Sequence, residues 1–317
     1  MVGNFDLVAI GNATIDTFLT IRSSNKHFRI NKETGEICVK QGDKAIVDKL
    51  DFFIGGNAAN VSVGLSRMGF KSAITAEIGS DEFTQKIVNG LKKEGVSEIL
   101  LKLIPNTPSP LSVIINYKGE RTIFCEDVEK DHDFNFEGIF AKWIYLTSLG
   151  NKWQEAYKRT LIFAKTVGAK IAFNPGTSQL DKGIESIRDV LKETDILFVN
   201  KEEAKTITGT KTDDIEKLLN LLDKLGPKTS VITDGLKGAF LFDKNDGFFF
   251  QKAYNEKKAL ERTGAGDAFA SGFLSAILFG KSAKQAMGWG ALNSASVVAK
   301  IGAQAGLLTI NEIKEKL

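Results

Sequence analysis

Near the C-terminal end of the sequence, Gly264, Ala265, Gly266 and Asp267 precede an apolar stretch that runs from Ala268 to Phe279. The small residues leave backbone N–H groups uncovered where a helix is predicted to begin. Such groups have no partner inside the helix and lie at the positive end of its dipole, so they can form an anion hole for a phosphate. Asp267 places a carboxylate beside that hole, which suits a general base that takes a proton from an attacking hydroxyl.

The same four residues also fit an ordinary helix that is capped by an aspartate after a glycine turn. In either case the helix dipole favours the charged form of Asp267, so its position predicts a lowered pKa and a weak base.

A second polar group opens an earlier helix, where Gly55, Gly56, Asn57 and Asn60 stand together. The glycines allow the backbone to approach a ligand, and the asparagine amides offer both donors and acceptors for hydroxyl groups. Asp16 follows the first predicted strand, at the edge where open α/β sheets bind ligands. These residues predict a substrate-binding site for a polyol, although Asp16 alone also fits a turn.

Asn200 and Glu203 follow a predicted strand and share the first turn of a helix. Their oxygens suit Mg²⁺, often through water, and we predict Glu203 as the metal residue and Asn200 as a nucleotide residue. The same spacing is also that of a capping box, which is a purely structural role.

Thr233, Gly235 and Gly238 lie at the end of another short strand and offer a surface for the phosphates and ribose of a nucleotide. Asn293 lies on a later apolar helix that is predicted to form one wall of an adenine pocket. A simple hairpin turn and core packing are the structural alternatives for these two segments.

The elements that must position these residues alternate along the chain. Short apolar runs predict strands, and amphipathic runs between them predict helices, in an order typical of a parallel, doubly wound α/β sheet. The predicted strands are 7–11, 72–78, 143–147, 170–174, 196–200 and 230–233, and the predicted helices are 58–68, 83–94, 153–167, 184–193, 201–208 and 214–225.

Two hairpins interrupt this alternation, at residues 27–39 and 111–125 with a turn over 117–120. They predict a small β-sheet lid, made of residues 17–50 and 107–129, that stands off the large domain and excludes water from it. The large domain then comprises residues 1–16, 51–106 and 130–317. An edge insertion without a function is the alternative.

The composition narrows the class of protein. The 317 residues carry 42 basic and 39 acidic side chains, a net charge of +3, with no basic run that would indicate a nucleic-acid partner. No stretch is long and apolar enough for a membrane span, and the first residues do not resemble a signal peptide. We therefore expect a cytoplasmic protein that binds neither nucleic acid nor a membrane.

Together, the segments 55–60 and 263–267 resemble, at this spacing and over essentially the whole chain, the ribokinase-like (PfkB) carbohydrate kinase family. The resemblance implies a Rossmann-like α/β/α sandwich with a small β-sheet lid, and an ATP-dependent, Mg²⁺-dependent phosphorylation of a hydroxymethyl group. It implies the following roles: Asp267 as base; Gly264, Ala265 and Gly266 as anion hole; Asp16, Gly55, Gly56, Asn57 and Asn60 for the substrate; Asn200, Thr233, Gly235, Gly238 and Asn293 for ATP; and Glu203 for Mg²⁺.

The sequence departs from the family pattern at two places. The glycine loop is usually introduced by Asp-x-Thr, and that Asp often helps bind a monovalent cation, but here Glu261 stands first. The resemblance thus leaves activation by a monovalent cation open. The mid-chain Asp-Pro-Asn of many family members is Asn174-Pro175-Gly176 in this chain, which leaves the identity of the substrate open.

Within the family, a sugar substrate as in ribokinases or fructokinases fits the asparagine and aspartate side chains. The alternative is a nucleoside kinase, with Phe28 or Phe124 of the lid as an apolar wall for the base. A further alternative is a non-catalytic sugar- or nucleotide-binding protein, which would have no use for a base at Asp267. A Rossmann oxidoreductase is disfavoured because this sequence lacks the glycine-rich dinucleotide fingerprint of that class. Lid sheets often pair between subunits, so a homodimer through the lid is expected.

Overall fold

The computed structural model describes residues 3–117, 120–125, 128–254 and 259–316. The predicted turn at Lys118 and Gly119 lies outside these residues. The strands are β1 (Gly3–Ile10), β2 (Thr14–Ile21), β3 (Phe28–Ile30), β4 (Ile37–Val39), β5 (Lys49–Gly55), β6 (Ser72–Gly79), β7 (Ser97–Ile104), β8 (Leu111–Tyr117), β9 (Glu120–Cys125), β10 (Ile139–Thr147), β11 (Lys170–Asn174), β12 (Ile196–Asn200), β13 (Thr229–Thr233), β14 (Ala239–Asp243) and β15 (Gly247–Gln251).

The helices alternate with the strands of the large sheet. They are α1 (Asn57–Arg67), α2 (Thr84–Lys93), α3 (Trp153–Val167), α4 (Thr177–Leu180), α5 (Ile184–Glu193), α6 (Lys201–Thr208), α7 (Ile215–Asp223), α8 (Ala265–Leu278), α9 (Ala283–Val298) and α10 (Ile310–Lys316).

A nine-stranded sheet forms the centre of the molecule, in the order β15-β14-β13-β12-β11-β10-β1-β6-β7. Seven neighbouring strands, from β13 to β7, are parallel, and β14 and β15 add an antiparallel edge. Parallel strands need crossover connections, and helices occur in those that follow β1, β6, β10, β11 and β12. The connection from β7 to β10 instead contains β8 and β9 of a second sheet. The carboxyl ends of the parallel strands therefore meet at one edge.

Helices cover both faces of this sheet. In β1, Leu7 and Ala9 belong to one apolar core, whereas Val8 and Ile10 belong to a second core on the opposite face. The first core includes buried residues of α1, α2, α8 and α9, and the second includes those of α3, α5, α6 and α7. The alternation of side chains along a strand thus produces three layers, and the predicted α/β/α sandwich is confirmed.

A separate four-stranded sheet has the order β5-β2-β8-β9. It contains the second predicted hairpin, as β8 and β9, but its other two strands, β2 and β5, were not predicted from the sequence. The first predicted hairpin forms β3 and β4, which pair only with each other. A small separate sheet is therefore present, built from one of the two hairpins rather than from both.

The predicted domain boundaries after residues 16 and 50 fall inside β2 and β5. The division into a large domain and a lid remains a prediction. Within the described part of the chain, no helix has both the length and the apolar character that a bilayer crossing requires.

Candidate active site

The glycine loop begins α8 as the sequence predicts. Gly264 has a φ of 75°, and a β-carbon there would lie 2.5 Å from the Cβ of Ala303, so only glycine fits this position. By contrast, a β-carbon on Gly266 would meet nothing within 4 Å. The N–H of Ala265 already donates to the carbonyl of Arg262 at 3.3 Å. The open space at Gly266 leaves room for an anion at the helix N-terminus.

Asp267 lies in the first turn of α8 and is 7% exposed. Its Oδ2 accepts a hydrogen bond of 2.9 Å from Nδ2 of Asn60, which projects from α1. Oδ1 of Asn60 accepts in turn from Nε2 of Gln304 at 3.0 Å. Both ends of the buried Asn60 amide are used by protein groups, so Asn60 orients Asp267.

Burial raises the pKa of Asp267 to about 7, and the negative charges of Asp16 and Glu203 act in the same direction. The hydrogen bond from Asn60 and the charge of Arg121 lower it by smaller amounts. The expectation of a lowered pKa at this helix N-terminus was wrong. Loss of hydration and the neighbouring carboxylates together outweigh the dipole of α8.

Asp16 is brought close to Asp267, but from a different element than expected. It lies inside β2 of the four-stranded sheet and not at the carboxyl end of β1. The side chain is 5% exposed, and Oγ1 of Thr14 donates to its Oδ1 at 2.9 Å. Burial raises the pKa of Asp16 to about 6, with a further contribution from Glu261. A β-carbon on Gly55 would collide with the Asp16 carboxylate, which explains the glycine in β5.

The other two residues of the predicted substrate group lie at the start of α1. Gly56 has a φ of 93°, and a side chain there would collide with the carbonyl oxygen of Asn12. Asn57 is the first residue of α1, and its Nδ2 lies 3.4 Å from Oγ1 of Thr147 at the end of β10. This contact is long, so the Asn57 amide remains available to a ligand.

A cavity of about 420 Å³ borders the glycine loop. The predicted nucleotide residues Thr233, Gly235 and Gly238 line it, as do the predicted anion-hole residues Ala265 and Gly266. Most of the remaining wall is small or apolar, from Ala253, Tyr254, Ala259, Phe269, Ala291, Ala295 and Val298. The cavity therefore leads from an apolar chamber to the N-terminus of α8.

Asn293 does not reach this cavity. It is fully buried, and its Nδ2 donates to the Ala268 carbonyl at 2.8 Å and to Oγ of Ser271 at 3.1 Å. Its Oδ1 accepts from the N–H of Leu308 at 2.9 Å. Asn293 thus ties α9 to α8, and the neighbouring Ala291, Ser294 and Ala295 line the cavity instead.

Asn200 and Glu203 form the capping box that was the structural alternative. Oδ1 of Asn200 accepts from the Glu203 N–H at 2.9 Å, and Oε2 of Glu203 accepts from the Asn200 N–H at 2.8 Å. Burial raises the pKa of Glu203. Neither residue lines the cavity described above. No cluster of three His, Cys, Asp or Glu side chains suited to a metal occurs in the described ranges.

Two residues of this site were missed in the sequence. Arg121 of β9 lies beside the glycine loop, with its Nη1 at 2.9 Å from Oγ1 of Thr263 and 3.3 Å from Oε1 of Glu261. Phe53 of β5 pairs with Asp16 across the sheet and packs on Phe18 with ring centroids 5.5 Å apart. Arg121 sits in no local motif, and nothing in the sequence indicates where its long side chain ends.

The model of the pfkB family of carbohydrate kinases matches residues 24–310. The chain belongs to the PfkB family of carbohydrate kinases. It is therefore a phosphotransferase that acts on a sugar hydroxyl, and the prediction of its reaction class is confirmed.

Curated relatives and solved structures resemble this kinase over most of its length. The 5-dehydro-2-deoxygluconokinase of Clostridium perfringens is 29% identical and is covered to 83%, as is this chain. The ribokinase of Haemophilus influenzae is 27% identical, over 88% of this chain and 92% of the relative. The nucleoside kinase of Methanocaldococcus jannaschii, an archaeal member of the ribokinase family, superimposes with a TM-score of 0.79, 21% identity and coverage of 98% and 97%. The ribokinase-like fold of the kinase is confirmed.

Proposed function

We propose that this kinase transfers the γ-phosphate of ATP to a hydroxymethyl group of a sugar. In this proposal the cavity beside Thr233 and Gly238 holds the nucleotide, and Gly264–Gly266 receives the γ-phosphate. The acceptor lies on the opposite side of the loop, between Asp16 and Asn57. The observation that carries the proposal is the position of Asp267. It is buried at the start of α8, next to the glycine loop that the proposed nucleotide and acceptor sites share.

Asp267 acts as the general base on the attacking hydroxyl. A pKa of about 7 places a large share of its carboxylates in the charged form at neutral pH and makes them stronger bases than an ordinary aspartate. The hydrogen bond from Asn60 leaves Oδ1 of Asp267 to accept the proton. Since the transition state of phosphoryl transfer is loose, the proton leaves late, and position matters as much as basicity.

The acceptor is a sugar or a sugar acid with a primary hydroxyl. The names of the relatives, one for a dehydrodeoxygluconate and one for ribose, support this class. The buried carboxylate of Asp16 and the amide of Asn57 match vicinal hydroxyls. Gly55 and Gly56 leave the backbone open for the sugar.

A nucleoside acceptor is the second candidate, and Phe53 is the observation that favours it. Phe53 lies opposite Asp16 in the β2–β5 pairing and so shares its face of the sheet. The two phenylalanines that the sequence suggested are elsewhere. Phe28 is buried against Tyr117. Phe124 pairs with Val113, whereas Asp16 pairs with Ser112, so Phe124 belongs to the opposite face of the sheet from Asp16.

ATP is expected to bind together with Mg²⁺, and Glu203 is suited to contact the ion through water. Oε2 of Glu203 closes the helix cap, whereas no hydrogen bond to the described residues occupies Oε1. A carboxylate oxygen of this kind suits a water of the Mg²⁺ shell. When bound, the ion would offset the charge of the phosphates.

A monovalent cation fits less well. Oε2 of Glu261 is buried and has no hydrogen-bond partner in the described residues, but Oε1 already contacts the guanidinium of Arg121. The charge of Glu261 is thereby balanced, and a second cation would face the positive Arg121. We propose that turnover does not depend on potassium. Equal rates in potassium and choline chloride would support this, and activation by potassium alone would contradict it.

We further propose a homodimer through the four-stranded sheet, in the cytoplasm. Leu50, Phe52 and Phe124 are 48%, 42% and 56% exposed. In the strand register they all belong to the face opposite Asp16. A second copy of the sheet would cover this apolar face.

The direct experiment is an assay of ADP release with Mg·ATP. The acceptors are ribose, fructose, 5-dehydro-2-deoxygluconate, other keto-deoxy sugar acids, adenosine and inosine. Turnover with a sugar or sugar acid at least about 100-fold above that with any nucleoside supports the proposal. Preference for a nucleoside would favour the second candidate, and ATP binding without turnover on any acceptor would contradict both.

A further inference from the structure

One side chain of the four-stranded sheet crosses to the glycine loop. Arg121 pairs with Asn116 in the β8–β9 ladder, and the register places it on the same face of the sheet as Asp16. Its Nη1 donates to Oγ1 of Thr263 at 2.9 Å and lies 3.3 Å from Oε1 of Glu261. The contact therefore joins β9 to residues that directly precede the anion hole.

Glu261 is the centre of this contact and is 3% exposed. Its Oε1 accepts hydrogen bonds from the N–H of Thr263 at 2.7 Å and from Oγ1 of the same residue at 2.5 Å. These bonds fix the backbone immediately before Gly264, whose positive φ starts the anion hole. A buried carboxylate is costly without a positive partner, and Arg121 provides the positive charge.

Arg121 also has an effect on the acids of the site. Its charge lowers the pKa of both Asp16 and Asp267, against the raising effects of burial and of Glu261 and Glu203. Removal of Arg121 would leave these four carboxylates without this cation.

We propose that Arg121 is a positioning residue for phosphoryl transfer, which fastens the four-stranded sheet to the loop that shapes the anion hole. The inference rests on the proposed function, since it assumes that Gly264–Gly266 binds the transferred phosphate. Arg121 acts through Glu261 and Thr263 and not by contact with the reacting atoms. The kinase thus reaches its working geometry when the sheet that carries Asp16 is docked on the loop.

The test compares Arg121→Gln with Arg29→Gln, which removes an exposed cation of β3 that has no ion pair among the described residues. We expect R121Q to lower kcat on the order of 10- to 100-fold, because small displacements of catalytic groups have effects of this size. In a plot of kcat/KM against pH, the fall on the acidic side (the acidic limb) should move to higher pH in R121Q. Arg121→Lys keeps the positive charge, so its acidic limb should return to the wild-type position. R29Q should change neither quantity.

Glu261→Gln tests the route of the effect. If Arg121 acts through Glu261, the double variant R121Q/E261Q is no slower than the slower single variant. A double variant whose loss of kcat equals the product of the two single losses would overturn the inference. It would also be overturned by R121Q with a kcat within about twofold of R29Q, or by a loss of kcat with an unmoved acidic limb, which indicates a structural role only.

Failure of the role of Arg121 can be distinguished from misfolding of the variant and from failure of the proposed function. If R121Q does not fold, E261Q alone carries the test from the other partner, and a wild-type kcat for it would overturn the inference. A wild-type enzyme that is inactive on every acceptor contradicts the proposed function itself. An active wild type with an R121Q variant equal to R29Q overturns only the role of Arg121.

Discussion

At the scale of single residues, the site is governed by buried negative charge. Asp16 and Asp267 lie almost fully out of water, and nearby carboxylates make each harder to ionise: Glu261 acts on Asp16, and Asp16 and Glu203 act on Asp267. Such an arrangement destabilises the fold at neutral pH, and it is useful only if the chemistry needs a carboxylate that readily takes a proton. The proposed base meets this condition.

The activity should therefore depend on pH near neutrality. Asp267 with a pKa of about 7 must be ionised to act, so kcat/KM should be constant above pH 8 and fall about tenfold per pH unit below 7. Asp16→Asn removes a neighbouring negative charge and should move this limb to lower pH. The measurement is kcat/KM from pH 5 to 9. A profile that is flat down to pH 5 would refute the role of Asp267 as a base of raised pKa.

The sequence predicted which residues stand at the glycine loop but not their environment. The pattern of Gly264–Gly266 before an apolar run is local, and the structure places it at the start of α8 as predicted. The environment of Asp267 includes Asn60 of α1 and Asp16 of β2, which lie more than 200 residues earlier, so the direction of its pKa shift could not be predicted locally. Arg121 was missed for the same reason.

At the scale of elements, α8 and α9 both line the cavity that we propose for the nucleotide. α8 supplies the N-terminus, whereas α9 supplies small side chains that leave the cavity wide. Asn293 holds the two helices together from the inside. The periodicity of α9 could show an apolar helix, but it could not show which polar residue faced inward.

This division predicts different effects for two substitutions in α9. Ala295→Leu should raise the KM for ATP about 10-fold or more by filling the cavity, with little change in melting temperature. Asn293→Ala leaves buried groups of α8 and of Leu308 unsatisfied, and should destabilise the protein by about 1–3 kcal/mol. ATP titrations and thermal unfolding measure both. A selective rise in KM for N293A with unchanged stability would restore the original assignment.

The sequence predicted six of the nine strands of the large sheet and β8 and β9 of the small one, but it missed β7, β14 and β15 of the large sheet and β2 and β5 of the small one. For β2 and β5 the reason is physical. Strands such as β11 and β12 are buried on both faces and appear as short apolar runs. In β2, by contrast, Asp16 and several threonines interrupt the pattern because one face of the strand carries the site. In β5, Lys49 and Asp51 do the same. Polar residues on one face of β2 and β5 therefore removed the apolar pattern from which a strand is predicted.

At the scale of the whole molecule, the four-stranded sheet has two unlike faces. One bears Asp16 and Arg121 toward the glycine loop, and the other exposes Leu50 and Phe124. If the second face pairs with another copy, dimerisation and the placement of Asp16 are linked through one thin sheet.

Phe124→Glu should therefore shift the kinase from dimer to monomer in sedimentation velocity and lower kcat. Ile162→Glu is the matched control, since Ile162 is also exposed but lies on α3, far from this sheet in the chain. It should remain dimeric and active. A wild-type protein that is monomeric at assay concentrations would contradict the proposed dimer.

The central claim is that Asp267 is the base, and Asp267→Asn tests it most directly. Asparagine keeps the size and the hydrogen bond from Asn60 but cannot take the proton. We predict that kcat falls at least about 1000-fold while the Kd for ATP, measured by calorimetry, stays within about threefold. The pKa of Asp267 is higher in the folded protein than in the unfolded chain, so ionisation of its carboxyl lowers the free energy of unfolding as the pH rises through 7. At pH 8, D267N should therefore be more stable than the wild type by on the order of 1–3 kcal/mol. A D267N variant that retains more than about a tenth of wild-type kcat would contradict the account.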